Sequence, residues 1–224
     1  MRRAAPRALI FDLDGTLVDT VPTRISAWLA AFEEFHIPAD RKQVAALIGS
    51  DGRRLARIVA EAAGLPLDDV QAELVDRRAG DIYNVLNVGP RPLPGATDLL
   101  NLLITAGRSW AIATSSLREQ VYASIRALSL AADPIVIDGS DVRQAKPAPD
   151  LLLVAAERLQ VDPALTWCVG DSIWDMQAAS AARMPGIGVT TGAASAQELA
   201  HAGAWWTIGS LLQLIPTVDP SHGA

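Results

Sequence analysis

Short apolar segments recur along the chain, and each is followed by polar or glycine-rich residues and then by a helical pattern. Continuous apolar runs of this length are typical of strands in a parallel sheet that helices cover on both faces. The pattern therefore predicts strands of an α/β fold over residues 8–11, 110–113, 135–137, 167–169 and 187–189.

The sequence predicts two helices between these strands. Residues 96–106 carry leucines at helical spacing and end before Gly107, and residues 151–159 follow a proline-rich start at 147–150. Strands that alternate with helices in this way favour a doubly wound parallel sheet.

Residues 20–88 have a different pattern, which contains no convincing strand. The sequence predicts successive amphipathic helices there, over residues 26–35, 41–47, 54–63 and 68–83. The proline- and glycine-rich stretch at 89–95 then predicts a stiff return connection. We therefore expect an α/β core formed by residues 1–19 and 90–224, interrupted by an all-helical cap at residues 20–89.

The first predicted strand ends in two carboxylates, Asp12 and Asp14, which Gly15 follows directly. Ligands of α/β sheets bind beyond the carboxyl ends of the strands, and residues i and i+2 of an extended chain project to one side. Two like charges this close are costly unless a cation or a proton lies between them. The pair indicates a hard divalent metal and acid/base chemistry, although an Asx turn that caps the strand would use the same residues.

Three further polar segments follow predicted strands or precede helices. Asp171 and Asp175 lie four residues apart just after the strand at 167–169, and Thr114 follows the strand at 110–113. Lys146 precedes the helix start at 147–150.

Taken together, these four segments resemble the motifs of the haloacid dehalogenase-like superfamily of phosphohydrolases. The resemblance covers essentially the whole chain, including the helical cap that directly follows the first motif in the C1-type branch, which contains phosphoglycolate phosphatases and β-phosphoglucomutases. It implies a Rossmann-like core and Mg²⁺-dependent hydrolysis of a phosphomonoester.

The resemblance also implies residue roles. Asp12 would be the nucleophile that forms an aspartyl-phosphate, and Asp14 would protonate the leaving group and later deprotonate the attacking water. The Thr114 hydroxyl, the Ser115 amide and the Lys146 ammonium would neutralise the transferring phosphoryl oxygens. Plainer interpretations remain open, since Lys146 is also compatible with a solvated loop.

For the metal, the resemblance implies that Mg²⁺ is held by the Asp12 carboxylate, the Asp14 backbone carbonyl and Asp171, with Asp175 as a ligand either directly or through water. Capping of the next helix is the alternative role for Asp175, and a helix N-cap is the role that we expect for Ser116.

Composition agrees with an all-oxygen metal site. Cys168 is the one cysteine, which excludes a thiolate zinc site and an intramolecular disulfide. His36, His201 and His222 are scattered along the sequence, so a histidine-rich metal cluster is not expected.

Asp14 bears on the type of reaction. Dehalogenating members of the superfamily generally lack this second aspartate, because a halide leaves without a proton, so its presence favours a phosphate ester. Phosphohexomutases usually carry a histidine on the first cap helix where this sequence has Arg24, which argues against mutase activity. Phosphohexomutase, 2-haloacid dehalogenase and a catalytically silent binding module remain the alternatives to a phosphatase.

The cap is where we expect substrate choice to reside. The glycine-flanked loop at residues 48–54 is of a kind that dips into a site from above. Surface arginines are ordinary, however, and Trp28 fits a cap core as well as a stacking platform. Candidate substrate-binding residues are those able to grip a second anionic or hydroxylated group or to present backbone amides: Ser115, Gly15, Arg24, Ser50, Arg53 and Arg54.

Charge and hydropathy restrict the partners. Nineteen Lys plus Arg against 25 Asp plus Glu give a net charge of −6, which argues against nucleic acid or an anionic membrane as a partner. Residues 8–11 are too few for a signal-peptide core, and no run approaches the roughly 18 apolar residues of a membrane span. We expect a cytoplasmic monomer or homodimer that acts on a small phosphorylated metabolite.

Overall fold

A six-stranded parallel sheet in the order β3-β2-β1-β4-β5-β6 is the centre of the computed structural model, which describes residues 5–218. The predicted strands are confirmed, and a sixth completes the sheet. The strands are β1 (Ala8–Phe11), β2 (Ser109–Ala113), β3 (Val136–Ile137), β4 (Thr166–Gly170), β5 (Gly186–Val189) and β6 (Trp206–Ile208).

Helices pack on both faces of the sheet because each central strand buries side chains on both sides. Leu9 and Phe11 of β1 belong to one apolar cluster, whereas Ile10 between them belongs to another. The helices are α5 (Ala96–Thr105), α6 (Arg118–Ala127), α7 (Asp150–Leu159), α8 (Ile173–Ala181), α9 (Ala196–His201) and α10 (Ile215–Val218). The predicted doubly wound α/β class is therefore confirmed.

Four helices separate β1 from α5, and we call them the insert: α1 (Val21–Glu34), α2 (Arg41–Leu47), α3 (Gly52–Ala62) and α4 (Asp69–Leu86). They bury an apolar cluster of their own, which includes Phe32, Val44, Val59 and Val75. Their starts follow sequence rules, because Asp40, Asp51 and Asp68 each accept a hydrogen bond from a backbone amide of the first helical turn.

The first insert helix differs most from its predicted range, since α1 begins at Val21 rather than at residue 26. A proline in its first turn, Pro22, suits a helix start. Thr20 precedes the helix, but its hydroxyl makes no cap hydrogen bond and donates instead to Asp14. The Thr20 hydroxyl, which could have capped α1, therefore binds the Asp14 carboxylate instead.

Sheet order decides what the strand ends bring together. β1 lies between β2 and β4, with Phe11 in register with Ile112 and Val169. The residues that follow these three strands therefore share one edge of the sheet. Among residues 5–218, no helix is both long and apolar enough to cross a membrane.

We propose that residues 20–89 form a cap separate from the core, as the sequence predicts. Replacing Phe32 by alanine is then expected to lower the free energy of unfolding by about 3–5 kcal/mol, through a cavity in the insert cluster. Amide hydrogen exchange should show lost protection in α1–α4 before β1 and β4. Phe11→Ala in the sheet is the control for global loss, and equal loss of protection everywhere in Phe32→Ala would contradict a separate cap.

Candidate active site

Lys146 is the cation around which the site is built. Its ammonium is buried, donates to Asp12 Oδ1 at 2.5 Å and to the Ala113 carbonyl at 2.7 Å, and lies 2.7 Å from Asp175 Oδ1. Burial by itself lowers the pKa of a lysine, but the charges of Asp12 and Asp175 raise the Lys146 pKa above its ordinary value. Lys146 is therefore a charged group held by two carboxylates and not a solvated loop residue.

Three carboxylates gather at this edge of the sheet. One oxygen each from Asp12, Asp171 and Asp175 lies within 4.8 Å of the other two, and all three residues are buried. The Thr16 hydroxyl donates to Asp171 at 2.7 Å. Burial, partly opposed by Lys146, raises the pKa of Asp12 to about 7, and burial beside Asp12 and Asp175 raises that of Asp171 well above its ordinary value.

This cluster fits a hard divalent cation. It holds more carboxylates than the single lysine can neutralise, and all of its donors are oxygens. Asp12 and Asp171 are the carboxylates best placed for a metal, because Asp175 is already engaged: its Oδ2 accepts from the amide and the hydroxyl of Ser172 in the capping box of α8. The capping role considered for Asp175 is therefore present, alongside its contact with Lys146.

Gly15 makes room for this cluster. Its φ of +86° is in the left-handed region, and a Cβ at this position would lie 2.5 Å from Asp171 Oδ2. The Gly15 amide, expected to face a substrate, donates instead to the Val18 carbonyl at 2.8 Å. Gly15 therefore permits the turn and the close approach of Asp171, and its amide is already hydrogen-bonded to Val18.

Asp14 has a separate set of partners. Its carboxylate accepts hydrogen bonds from Thr20 at 2.6 Å, Ser116 at 2.7 Å, Arg24 at 3.0 Å and Tyr83 at 3.2 Å. Burial favours the neutral acid, but the Arg24 charge and the hydrogen bonds together lower the Asp14 pKa below its ordinary value. The side chain is therefore ionised here, and only the Asp14 backbone carbonyl remains to serve a metal as predicted.

Arg24 contributes to the site as a partner of Asp14 rather than as a free grip for substrate. Its guanidinium donates to Gln120 at 2.6 Å and to Ser116 at 2.6 Å, and it stacks 3.4 Å from the centre of the Tyr83 ring. The N-cap expected for Ser116 is wrong, because α6 is preceded by Leu117 and the Ser116 hydroxyl bridges Arg24 and Asp14. A side chain engaged by two charged groups is not available to a helix amide.

A cavity opens between the strand ends and the insert. Asp12, Asp14 and Thr114 line it from the core, whereas Trp28 and Asp76 line it from the insert. Trp28 also belongs to the insert cluster, so both roles considered for it have support.

The loop at residues 48–54 does approach the strand ends. The Asp51 amide donates to the Lys146 carbonyl at 2.8 Å, and the Ser115 hydroxyl donates to the Gly49 carbonyl at 2.9 Å. Ser50 lines the cavity, but its hydroxyl is bonded to the Leu47 carbonyl.

Arg53 and Arg54 occupy a different place from the one expected. Arg53 pairs with Asp51 at 3.1 Å and donates to the Arg143 carbonyl, and Arg54 lies 5.3 Å from the Trp174 ring. Both line a neighbouring surface recess that also contains Pro147. The loop therefore reaches the site through its backbone and Ser50, whereas its arginines face outward.

Comparison with known proteins follows this geometry. The family model described as haloacid dehalogenase-like hydrolase matches residues 9–189. The chain belongs to this family. It is 34% identical to "Probable phosphatase IndB" of Dickeya dadantii (strain 3937), over 85% of this chain and 84% of that protein.

Two more relatives cover most of this haloacid dehalogenase-like hydrolase. A "Phosphoglycolate phosphatase" of Escherichia coli (strain K12) is 35% identical over 83% of this chain and 82% of its own length. The crystal structure of a hydrolase from Pseudomonas syringae is 33% identical, with a TM-score of 0.89 over 95% of this chain and 97% of that one.

Sequence reasoning missed several residues of this hydrolase that lie at the site. Thr16 lies inside the first motif and Thr20 directly precedes α1, whereas Asp76, Tyr83 and Gln120 lie on helices far along the sequence. Their buried polar atoms meet Asp14, Arg24 or the cavity only in the fold. These residues are Thr16, Thr20, Asp76, Tyr83 and Gln120.

Arg24→Met should test whether Arg24 holds Asp14 ionised. At pH 7 we expect the free energy of unfolding to fall by about 3–5 kcal/mol, because a buried carboxylate loses its counter-charge. In the wild type, the lowered Asp14 pKa stabilises the fold above the ordinary value of 3.8. In the variant the pKa rises, so the deficit should shrink as the pH falls from 7 towards 4.

Urea unfolding at several pH values measures this effect. The double variant Asp14→Asn/Arg24→Met is the control, since a neutral amide needs no counter-charge and part of the loss should return. A deficit that does not change with pH, or that is equal in the double variant, would mean that packing of Arg24 on Tyr83 is its contribution.

Proposed function

We propose that this haloacid dehalogenase-like hydrolase is a Mg²⁺-dependent phosphatase, which hydrolyses a small phosphorylated metabolite of the sugar phosphate or phosphoglycolate type in the cytoplasm. The observation that carries the proposal is the buried Asp12–Lys146 pair beside Asp171, with Asp12 lining the cavity between the core and the insert. Two relatives with more than 30% identity bear the names of phosphatases, which supports the same chemistry.

Asp12 is the nucleophile in this proposal. One carboxylate oxygen attacks phosphorus, a new O–P bond forms, and the bond from phosphorus to the ester oxygen breaks with its electron pair on the leaving group. Water then attacks the aspartyl-phosphate and releases inorganic phosphate and free Asp12. The covalent route divides one difficult displacement into two easier ones.

Asp14 moves the protons in both steps. It gives a proton to the departing oxygen and takes one from the attacking water. The ionised, four-fold hydrogen-bonded Asp14 of this structure is the form suited to the second step. Protonation of Asp14 for the first step requires a weaker interaction with Arg24, which lies on the insert helix α1.

Charge on the phosphoryl oxygens is met by groups of the core. Lys146 donates to Asp12, and Thr114 and Ser115, which directly follow β2, line the cavity together with Asp12. Such fixed donors in a water-poor site supply most of the stabilisation in phosphoryl transfer. Mg²⁺ held by Asp12, Asp171 and the Asp14 carbonyl, with Asp175 close by, would supply further positive charge against the phosphoryl group.

The other reaction types have less support. A dehalogenase has no use for the proton on Asp14, and a silent binding module has no use for a nucleophile whose charge is balanced by a buried lysine. Structures named as β-phosphoglucomutases are 21% identical, which supports the fold alone. A requirement for a sugar bisphosphate in the assay would distinguish mutase activity.

Asp12→Asn is expected to abolish phosphate release from p-nitrophenyl phosphate and from a panel of phosphorylated metabolites. The amide lacks a nucleophilic oxygen, so the loss should exceed the roughly 10²–10⁴-fold that follows from losing acid/base help alone. Circular dichroism and the melting temperature (Tm) control for folding. A variant that keeps a tenth of wild-type activity would exclude Asp12 as the nucleophile.

Metal dependence gives a second measurement. Excess EDTA should remove activity, and Mg²⁺ should restore it and raise Tm by about 5–10 °C at a hundredfold excess over the dissociation constant. In Asp171→Asn the Mg²⁺-dependent rise in Tm should be largely lost, because one of the carboxylates of the cluster is gone. Full activity in EDTA, with no metal found by elemental analysis, would contradict the site.

A further inference from the structure

Asp76 is a carboxylate on the insert side of the cavity, and the steps described above do not use it. It lies on α4, is half-buried, and lines the same cavity as Asp12 and Asp14. Asp12 and Asp14 line this cavity from the core and Asp76 lines it from the insert, so a substrate whose phosphate contacts the core would direct its leaving group towards the insert side.

The fold holds this carboxylate against a glycine. Gly52, the first residue of α3, lies so close to Asp76 that a Cβ at position 52 would overlap the Asp76 carboxyl group. Gly52 also lines the cavity. The absence of a side chain at position 52 therefore lets the Asp76 carboxylate occupy this wall.

The Asp76 carboxylate is left without a direct partner. Within residues 5–218, no hydrogen bond or ion pair engages it, unlike Asp12, Asp14 and Asp171. Burial and the like charges of Asp51 and Glu73 raise its pKa to about 7, against weaker opposition from Arg53 and Arg24. The Asp76 carboxyl group lines the cavity without a partner from residues 5–218, so a bound substrate can donate a hydrogen bond to it.

The charges around the cavity determine which substituent of the leaving group can bind next to Asp76. A carboxylate on the leaving group would meet the like charge of Asp76, since the charge of Arg24 is already paired with Asp14 at 3.0 Å. The two terminal nitrogens of Arg24 donate to Asp14, Ser116 and Gln120, whereas its Nε has no partner among residues 5–218. An ammonium would enter a cavity that Arg24 also lines. A hydroxyl donates to the carboxylate without adding charge, and it also accepts from the neutral form of Asp76.

We propose that Asp76 is a specificity-determining residue, which accepts a hydrogen bond from a hydroxyl of the leaving group and disfavours phosphomonoesters whose leaving group carries a carboxylate. This inference rests on the proposed phosphatase function and narrows its substrate class to hydroxylated compounds. It separates the chain from the substrate named for its phosphoglycolate phosphatase relatives.

Three phosphomonoesters of equal length form the test: 2-hydroxyethyl phosphate, 2-phosphoglycolate and 2-aminoethyl phosphate. With Mg²⁺ present, wild-type kcat/KM should be highest for the hydroxyethyl ester and at least about tenfold lower for phosphoglycolate. Turnover of p-nitrophenyl phosphate serves as the reference for the core chemistry.

Two substitutions divide the role of Asp76 into charge and hydrogen bonding. Asp76→Asn removes the charge but keeps an acceptor, so kcat/KM for phosphoglycolate should rise about tenfold with little change for the hydroxyethyl ester. Asp76→Ala removes the acceptor, so kcat/KM for the hydroxyethyl ester should fall about tenfold. Gly52→Ala should reproduce part of the Asp76→Ala result by displacing the carboxylate. Asp81→Asn, an exposed site on the same helix, is the matched control and should change nothing.

Several outcomes would overturn the inference. The first is a wild-type preference for phosphoglycolate or for the aminoethyl ester. The second is a change of kcat/KM by the same factor for all substrates in Asp76→Asn, with Tm unchanged. Absence of turnover with every ester, p-nitrophenyl phosphate included, would instead refute the phosphatase function on which the inference rests. The reference substrate thus distinguishes the two failures.

Discussion

The buried ion pair between Lys146 and Asp12 is the constraint on which the site depends. A lysine ammonium without exposure to water is tolerated only where opposite charge and hydrogen-bond acceptors surround it. Here the acceptors come from three neighbouring strand ends: Asp12 after β1, the Ala113 carbonyl at the end of β2, and Asp175 in the first turn of α8, which follows β4. The charge balance of the fold and the position of Asp12, the proposed nucleophile, therefore depend on the same contacts.

The pair does not neutralise the cluster completely, and that imbalance gives the site its chemistry. Asp12 and Asp171 keep raised pKa values even with Lys146 in place. A metal cation would relieve the remaining repulsion, so part of the free energy needed to bring the carboxylates together would be recovered as affinity for the metal. The pKa of Asp14, two residues after Asp12, is lowered instead, because Arg24 and three hydroxyl groups donate hydrogen bonds to its carboxylate.

Most of the core was predictable from the sequence, and much of the insert side was not. Asp12, Lys146 and Asp171 follow buried strands or precede helices, and strand order alone brings such positions to one edge of the sheet. The outward position of Arg53 could not be predicted, because it depends on a local pair with Asp51. The place of Asp76 depends on the packing of α4 against α3 and on a glycine, neither of which leaves a periodic signal.

Trp174 joins the two halves of the molecule in a way that has a mechanical consequence. It lies between Asp171 and Asp175, yet its indole packs in the insert cluster and donates to the Ala46 carbonyl at 3.1 Å. Trp174 lies in the first turn of α8, next to the carboxylates, and is packed in the insert cluster. The insert therefore cannot move away from the core without either displacing this turn or exposing a large aromatic surface to water. Substrate entry beneath the insert and the positions of Asp171 and Asp175 therefore depend on the same side chain, Trp174.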